Sequence, residues 1–149
     1  NIEYVTTDLN SPLADVKADI CNLPFEDNTF DFILCNHVLE HINDDIKAIK
    51  ELYRVMKPGG SGVFQIPLNN KLKTTFSDDS IINKNERSKI FGQYDHVRVY
   101  GMDYFDKLKS CGFRVKKINY TSKLSNKEIQ KYCLSYGELI PFVEKPNKS

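Results

Sequence analysis

"ADICNLPFEDNTFDFILCNHVLEHINDDIKAIKELYRVMKPGGSGVFQIP", residues 18–67, is the stretch that decides the fold. Its continuous apolar run DFILCN (31–36) is typical of a central parallel strand covered on both faces. The capping and acidic residues at 43–45 suit a helix start, because they satisfy free N–H groups and the positive end of the helix dipole. KPGG (57–60) predicts the end of that helix, and GVFQIP (62–67) predicts the next strand. The helix would carry one apolar stripe at spacings of three and four: Ile46, Ile49, Leu52, Tyr53 and Met56.

The alternation of strands and helices continues on both sides of this stretch. Four further segments rich in β-branched and aromatic residues are expected to be strands: 2–8, 14–20, 113–120 and 138–145. Three further segments are expected to be helices: 83–91, 102–112 and 125–137. Ser125 and Glu128 form a capping box at the start of the last helix, and Pro141 restricts the last strand to an edge or a bulge. The pattern predicts an α/β fold with a mostly parallel sheet.

Length and composition limit the classes of protein to which this chain can belong. A chain of 149 residues suits one domain that buries roughly 70% of its unfolded surface. With 21 basic and 20 acidic residues there is no positive field for a phosphate backbone, so we expect no nucleic acid partner. No apolar run reaches the roughly 18 residues needed to span a bilayer, so we expect no membrane segment. Four cysteines without a C-x-x-C pair indicate reduced thiols and a cytoplasmic protein.

Two histidines flank a glutamate in His37-x-x-Glu40-His41, which has the literal form of the inverted zinc-peptidase signature. That chemistry requires both histidines well inside one helix, together with a third ligand downstream. His37 directly follows a predicted strand, and the helix stripe begins only after Asn43. A zinc peptidase is therefore disfavoured, and we expect no metal.

Several polar residues fall at the carboxyl ends of predicted strands, where open parallel sheets bind ligands. Asp8 and Asp19 each end a predicted strand, and Cys35–His37 form the corner after another. Carboxylates in such positions can accept hydrogen bonds from ribose hydroxyls or from an adenine amino group. Each aspartate alone is more often a cap or a turn residue, but the three corners together favour a nucleoside-type ligand.

The combination of motifs resembles the central block of class I S-adenosylmethionine-dependent methyltransferases of the small-molecule type. The resemblance is carried by D-I-x-x-L-P-F with F-D-x-I, by H-V-L-E-H and by E-L-x-R-V-x-K-P-G-G, all within 18–67. YDHVRVYG (94–101) and LKSCGFRV (108–115) are similar to the later part of the family. The resemblance implies a Rossmann-like sheet with an antiparallel C-terminal strand, a single domain over 1–149, and S-adenosylmethionine as the cofactor.

The resemblance also implies which residues bind the cofactor. Asp8 matches the acidic residue that holds the ribose, and Asp19 matches the carboxylate beside the adenine amino group. Ile20 matches the residue that contacts the ring, while Asn36 and His37 match the corner near the methionine part. His37 and Glu40 would then belong to a methyltransferase corner and not to a zinc site.

The first part of the family pattern has no counterpart in this sequence. The central N-terminal strand and the glycine-rich loop that follows it are both absent, and no G-x-G-x-G occurs. The chain also begins at Asn1 without a methionine. We therefore expect a longer protein that extends upstream. A non-catalytic fragment or a partner-binding pseudoenzyme is the alternative to an active methyltransferase.

Methyl transfer from a sulfonium chiefly requires positioning and desolvation, with a base only where the acceptor must lose a proton. His96, Arg98 and Tyr100 follow the polar segment 69–95 and are the predicted catalytic or acceptor-binding residues. That segment is long for a connection and is expected to be a lid or insertion, mobile outside its short helix. A small-molecule methyl acceptor is expected, and the sequence leaves its identity and the oligomeric state open.

Overall fold

The structure, a computed structural model, describes residues 2–147 of the chain. Its strands are β1 Thr7–Asp8, β2 Val16–Lys17, β3 Phe30–Asn36, β4 Met56–Gln65, β5 Phe76–Ser77, β6 Arg98–Val99, β7 Arg114–Ile118 and β8 Ile140–Glu144. Its α-helices are α1 Asp45–Val55, α2 Lys84–Phe91, α3 Tyr104–Ser110 and α4 Asn126–Lys131. Short 3-10 turns occur at Leu39–His41 and Thr121–Lys123. None of the helices within 2–147 has the length and apolar character needed to cross a bilayer.

The main sheet has four strands in the order β3-β4-β8-β7. β3 and β4 pair in parallel, whereas β8 runs antiparallel to both β4 and β7. Three of its strands therefore point in one direction and the C-terminal strand opposes them, which confirms the predicted fold class. β1 and β2 form a separate parallel pair, and β5 and β6 form an antiparallel pair.

The most regular predictions are confirmed. The stripe of α1 packs Ile49, Leu52 and the neighbouring Ala48 and Val55 into the core. The side chain of Asp44 accepts a hydrogen bond from the Lys47 N–H at 2.9 Å, so the helix has the predicted polar cap. The helix predicted over 83–91 is present as α2, capped by Asn83 and Gly92, and Ser125 with Glu128 forms the predicted capping box of α4.

β3 corrects the prediction of a strand covered on both faces. Among residues 2–147, β4 is its neighbour in the sheet, and no strand is hydrogen-bonded along its other edge. The side chains on one face are open to solvent, since Phe32 is 52% exposed and Leu34 is 64% exposed. Its other face packs into the core through Cys35 and Ile33. An apolar run does not by itself distinguish a central strand from this arrangement.

Several predicted boundaries are also wrong. The strands expected over 2–8 and 14–20 shrink to two residues each, because Ile2 and Tyr4 are exposed and have no core to pack against. β4 already begins at Met56 and includes the KPGG run, with a register shift opposite β3. α4 ends at Lys131, well before Gly137, because none of its residues is buried.

Pro141 lies in an interior strand and not at the predicted edge of the sheet. β8 stands between β4 and β7, but only its residues 142–144 pair with β4. Pro141 pairs with Lys117 of β7 alone. Its missing N–H therefore falls beyond the three-residue ladder with β4, where no donor is required.

Candidate functional site at the carboxyl ends of the strands

The corner after β3 is where the sequence predicted the methionine end of a cofactor. Asn36 ends the strand and is exposed, and the backbone N–H of His37 donates to the Gln65 carbonyl oxygen at 2.9 Å. His37 has φ 53°, a left-handed conformation that turns the chain sharply. The following 3-10 turn Leu39–His41 points Glu40 inward. The H-x-x-E-H pattern thus lies in a corner and not along one α-helix, as predicted.

Asp8 stands at the carboxyl end of β1 and is exposed. Its Oδ1 accepts backbone N–H groups from Asn10 at 2.7 Å and from Ser11 at 2.6 Å. These two hydrogen bonds lower the pKa of Asp8, so its side chain is a carboxylate at neutral pH. The turn holds Oδ1, and the side chain is exposed, so a ribose hydroxyl can reach the carboxylate.

Asp19 follows β2 in a similar turn. Its Oδ1 accepts the Cys21 N–H at 2.8 Å, and its backbone bridges to Asn22. Ile20 is half-buried and packs against the core, so its position beside Asp19 is fixed. Two exposed carboxylates, each held through one oxygen by backbone N–H groups, are hydrogen-bond acceptors that fit the ribose hydroxyls and the amino group of adenosine.

The predicted residue His96 lies against the same corner. Its ring contacts that of His41 edge to face, with the centroids 4.8 Å apart. His96 Nδ1 lies 3.1 Å from the Phe91 carbonyl oxygen, and His41 Nδ1 lies 3.4 Å from Asp95 Oδ2. The backbone N–H of Val97 donates to the carbonyl oxygen of Glu40 at 3.0 Å, which ties the two segments together. The spacing within His37-x-x-Glu40-His41 gave no signal for this long-range contact.

Arg98 and Tyr100 are buried around the carboxylate of Asp45, which the sequence predicted only as a residue at a helix start. Arg98 forms an ion pair with Asp45 at 2.7 Å and donates to the Asn43 carbonyl oxygen at 2.8 Å. The Tyr100 hydroxyl donates to Asp45 Oδ2 at 2.9 Å, and Lys107 donates to the same oxygen at 3.0 Å. These contacts pin β6 and α3 to the first turn of α1. The arrangement favours a structural role for Arg98 and Tyr100 over the predicted contact with an acceptor.

The charges of Arg98 and Lys107 together determine how the pKa of Asp45 responds to burial. Burial alone would raise the pKa of Asp45, but the Lys107 hydrogen bond and the Arg98 charge outweigh burial and hold that pKa below its ordinary value. Burial, followed by the Asp45 charge, raises the pKa of Tyr100. Tyr100 is therefore a neutral hydrogen-bond donor at neutral pH and is not suited to act as a base.

An open cavity of about 490 Å³ lies beyond the carboxyl end of β4. It is lined by Leu68 and Asn69 from the segment after β4 and by Tyr136 and Leu139 from the segment before β8. Glu138, another lining residue, accepts a hydrogen bond from Gln65 at 2.8 Å. The volume is within the range of small-molecule sites, roughly 300–1,000 Å³. The sequence did not predict this cavity, because it brings together two segments that are far apart in the chain.

Comparison with known proteins identifies a family that part of this chain matches. Residues 2–64 match the methyltransferase domain family. Demethylmenaquinone methyltransferase of Staphylococcus epidermidis is 47% identical over 45 residues, which are 30% of this chain and 19% of that protein. 2-Phytyl-1,4-naphtoquinone methyltransferase of Nostoc punctiforme is 39% identical over 64 residues, which are 41% of this chain and 28% of that protein. The matches thus span less than a third of these curated relatives.

The fold comparison covers nearly the whole chain. An S-adenosylmethionine dependent methyltransferase from Mesorhizobium loti superposes with a TM-score of 0.60 at 13% identity, over 93% of this chain and 78% of that one. The resemblance found in the sequence is therefore confirmed: residues 2–64 match the methyltransferase domain family, and the chain has the class I S-adenosylmethionine-dependent methyltransferase fold.

Proposed function

We propose that this chain is part of an enzyme that transfers a methyl group from S-adenosylmethionine to a small-molecule acceptor. The observation that carries the proposal is the position of Asp8, Asp19 and Asn36. All three are exposed near the carboxyl ends of strands, within the residues that match the methyltransferase domain family. The carboxyl ends of strands are where open α/β sheets bind nucleotide-like ligands.

Five residues would hold the cofactor. Asp8 would accept hydrogen bonds from the ribose hydroxyls, and Asp19 would accept a hydrogen bond from the adenine amino group. Ile20 would contact the adenine ring. Asn36 and His37 would border the methionine part from the corner after β3. When bound, S-adenosylmethionine supplies a methyl group already activated by its sulfonium. The chain therefore has to orient the acceptor in line with that group and exclude water.

We assign Arg98 and Tyr100 as positioning residues. The Tyr100 hydroxyl donates to Asp45 Oδ2 at 2.9 Å and lies 3.3 Å from the Leu39 carbonyl oxygen, so it packs against the turn that follows His37. Removing either residue would loosen this corner without removing a group that touches the acceptor.

The cavity beyond β4 is the proposed acceptor site. It combines apolar walls with the polar groups of Asn69 and Glu138, which suits a ring that carries oxygen substituents. Two relatives are named as methyltransferases of quinone compounds, so a quinone or hydroquinone ring is the acceptor class we propose.

The segment 69–95 is proposed to form a rim or lid of this cavity, since Asn69 and Asn70 line it. Its first part is anchored, because Thr75 donates to Asp103 from its backbone at 2.7 Å and from its hydroxyl at 2.6 Å. Gly101 allows the backbone of Thr74 to approach closely. A Cβ atom at position 101 would lie only 2.7 Å from the carbonyl carbon of Thr74 and would clash with it. Lid motion would therefore belong to the part after β5.

The test is methyl transfer to a panel of small molecules, followed by mass spectrometry of the products. We expect transfer to hydroquinone-type rings, and we expect Tyr136→Ala to raise KM for the acceptor by about tenfold through lost aromatic burial. Tyr132→Ala is the matched control, because Tyr132 is also exposed but does not line the cavity. Cofactor affinity should be unchanged in both variants. Binding of the cofactor without transfer to any acceptor would instead favour a non-catalytic role.

A further inference from the structure

We propose that Glu40, His41 and His96 form a binding site for a divalent transition-metal ion, with Zn²⁺ as the preferred ion. The proposal does not depend on methyl transfer. It also differs from the H-x-x-E-H pattern, because His37 is not one of the three ligands.

The fold brings His96 to the neighbouring residues Glu40 and His41, from which it is more than fifty residues away in the sequence. Each side chain offers one ligand atom, and these atoms all lie within 4.8 Å of one another. Two imidazoles and one carboxylate are the ligand set of several zinc enzymes, which bind the metal at about 2.0–2.2 Å and keep a fourth position open. The His41 side chain is 29% exposed, so it has room to rotate and bring the three ligand atoms to that distance.

The outer partners of the two histidines prepare them to bind a metal. The Phe91 carbonyl oxygen can only accept, so the proton of a neutral His96 sits on Nδ1, 3.1 Å away, and Nε2 keeps a lone pair. Asp95, at 3.4 Å, favours the same tautomer for His41. A histidine that donates from one ring nitrogen to a carbonyl or carboxylate while the other faces the ion is the usual arrangement at metal sites.

Glu40 provides an independent observation. It is only 1% exposed, and neither of its carboxylate oxygens has a hydrogen-bond partner among residues 2–147. His37 Nδ1 is 3.3 Å from Oε1, but the contact lacks hydrogen-bond geometry. Asp45 is similarly buried and is neutralised by Arg98 and Lys107. A buried carboxylate without such partners is costly, and a bound cation would compensate its charge.

The position of the site suggests how an ion would be used. The three ligands surround the turn that follows β3, next to the corner at Asn36 and His37. The open coordination position could hold a water molecule or an oxygen of an acceptor. The metal chemistry would thus face the same edge of the sheet as the proposed cofactor site.

The test is zinc binding by the purified protein, measured by competition with a chromophoric chelator and by the visible spectrum after Co²⁺ substitution. We expect one ion per chain and a tetrahedral Co²⁺ spectrum. Glu40→Gln and His96→Ala should each weaken binding by more than about tenfold, the lower bound seen even for residues that only support metal ligands. His37→Ala removes a neighbour of Glu40 but no proposed ligand, so it should weaken zinc binding clearly less than either ligand substitution.

Thermal denaturation separates a metal ligand from a merely structural residue. Without metal, Glu40→Gln should be at least as stable as the wild type, because it removes a buried charge that lacks a partner. Added zinc should raise the Tm of the wild type and of His37→Ala, but not that of Glu40→Gln. The proposal is overturned if zinc does not bind stoichiometrically or if Glu40→Gln binds it as tightly as the wild type. Equal losses in His37→Ala and His96→Ala would also overturn it.

Discussion

At the scale of single residues, Asp45 shows how one carboxylate can fix the geometry of a site it does not enter. Asp45 begins α1, yet its carboxylate forms ion pairs with Arg98 of β6 and with Lys107 of α3. The sequence identified Asp45 only as an acidic residue at a helix start, and it identified Arg98 as a catalytic candidate. Spacing along the chain contains no information about this pairing, because the partners are more than fifty residues apart.

Asp45→Asn should therefore reduce the free energy of unfolding at neutral pH by about 3–5 kcal/mol, the range for leaving a buried charge without its partner. Urea denaturation measures the loss. Asp106→Asn is the control, because Asp106 pairs with Lys109 on the surface and its replacement should have no measurable effect. Equal stability of the two variants would refute the structural role of Asp45.

The same carboxylate predicts a pH dependence. Its pKa in the folded chain lies below the ordinary value of 3.8. Its stabilising contribution is therefore complete above that value and is lost as the pH falls through the lower, folded pKa. The difference in stability between the wild type and Asp45→Asn should be constant near neutrality and shrink only in strong acid. A difference that already disappears between pH 5 and 7 would contradict this assignment.

At the scale of elements, α1 was predictable because its signals are local. Its cap and its apolar stripe lie within a dozen neighbouring residues, and the structure reproduces both. β1 and β2 were predicted too long, because strand length depends on what the strand packs against, and Ile2 and Tyr4 are exposed. The exposed face of β3 was missed for the same reason: burial of a strand is decided by neighbours that are remote in sequence.

Lys145, for which the sequence predicted no role, stabilises the end of α1. Lys145 follows β8 and is 8% exposed. Its ammonium group donates to the carbonyl oxygens of Tyr53 and Met56, each at 2.7 Å, and to Asn28 Oδ1 at 2.9 Å. A cation there satisfies carbonyl groups that a helix end leaves free and also suits the negative end of the helix dipole.

Lys145→Met keeps most of the side-chain volume and removes these hydrogen bonds. We expect the free energy of unfolding to fall by about 1–3 kcal/mol, since buried carbonyl groups lose a donor. Lys116→Met on β7 is the control, because Lys116 is exposed and its contacts with Glu144 and the Phe142 ring lie on the surface. Chemical denaturation that gives the same midpoint for both variants would contradict the capping role.

At the scale of the whole molecule, the fold class was predictable from the alternation of strands and helices, whereas the assignment of cofactor-binding and catalytic residues stays a prediction. Asp8, Asp19 and the Asn36–His37 corner lie at or next to strand ends, but β1 and β2 pair separately from the four-stranded sheet. The assembly of Glu40 with His96 and the cavity beside Tyr136 both depend on how remote segments pack. Resemblance to a family shows the scaffold, whereas these contacts have to be read from the folded chain.

Calorimetric titration of the purified protein with S-adenosylmethionine tests the central claim most directly. We expect saturable binding of one cofactor per chain. Asp8→Ala and Asp19→Ala should each weaken it by roughly tenfold or more, as expected for the loss of a charged hydrogen-bond acceptor. Asp31→Ala is the control, because Asp31 is an exposed carboxylate that pairs with Lys57 and should leave affinity unchanged. Undiminished affinity in both Asp8→Ala and Asp19→Ala, or no binding by the wild type, would contradict the account.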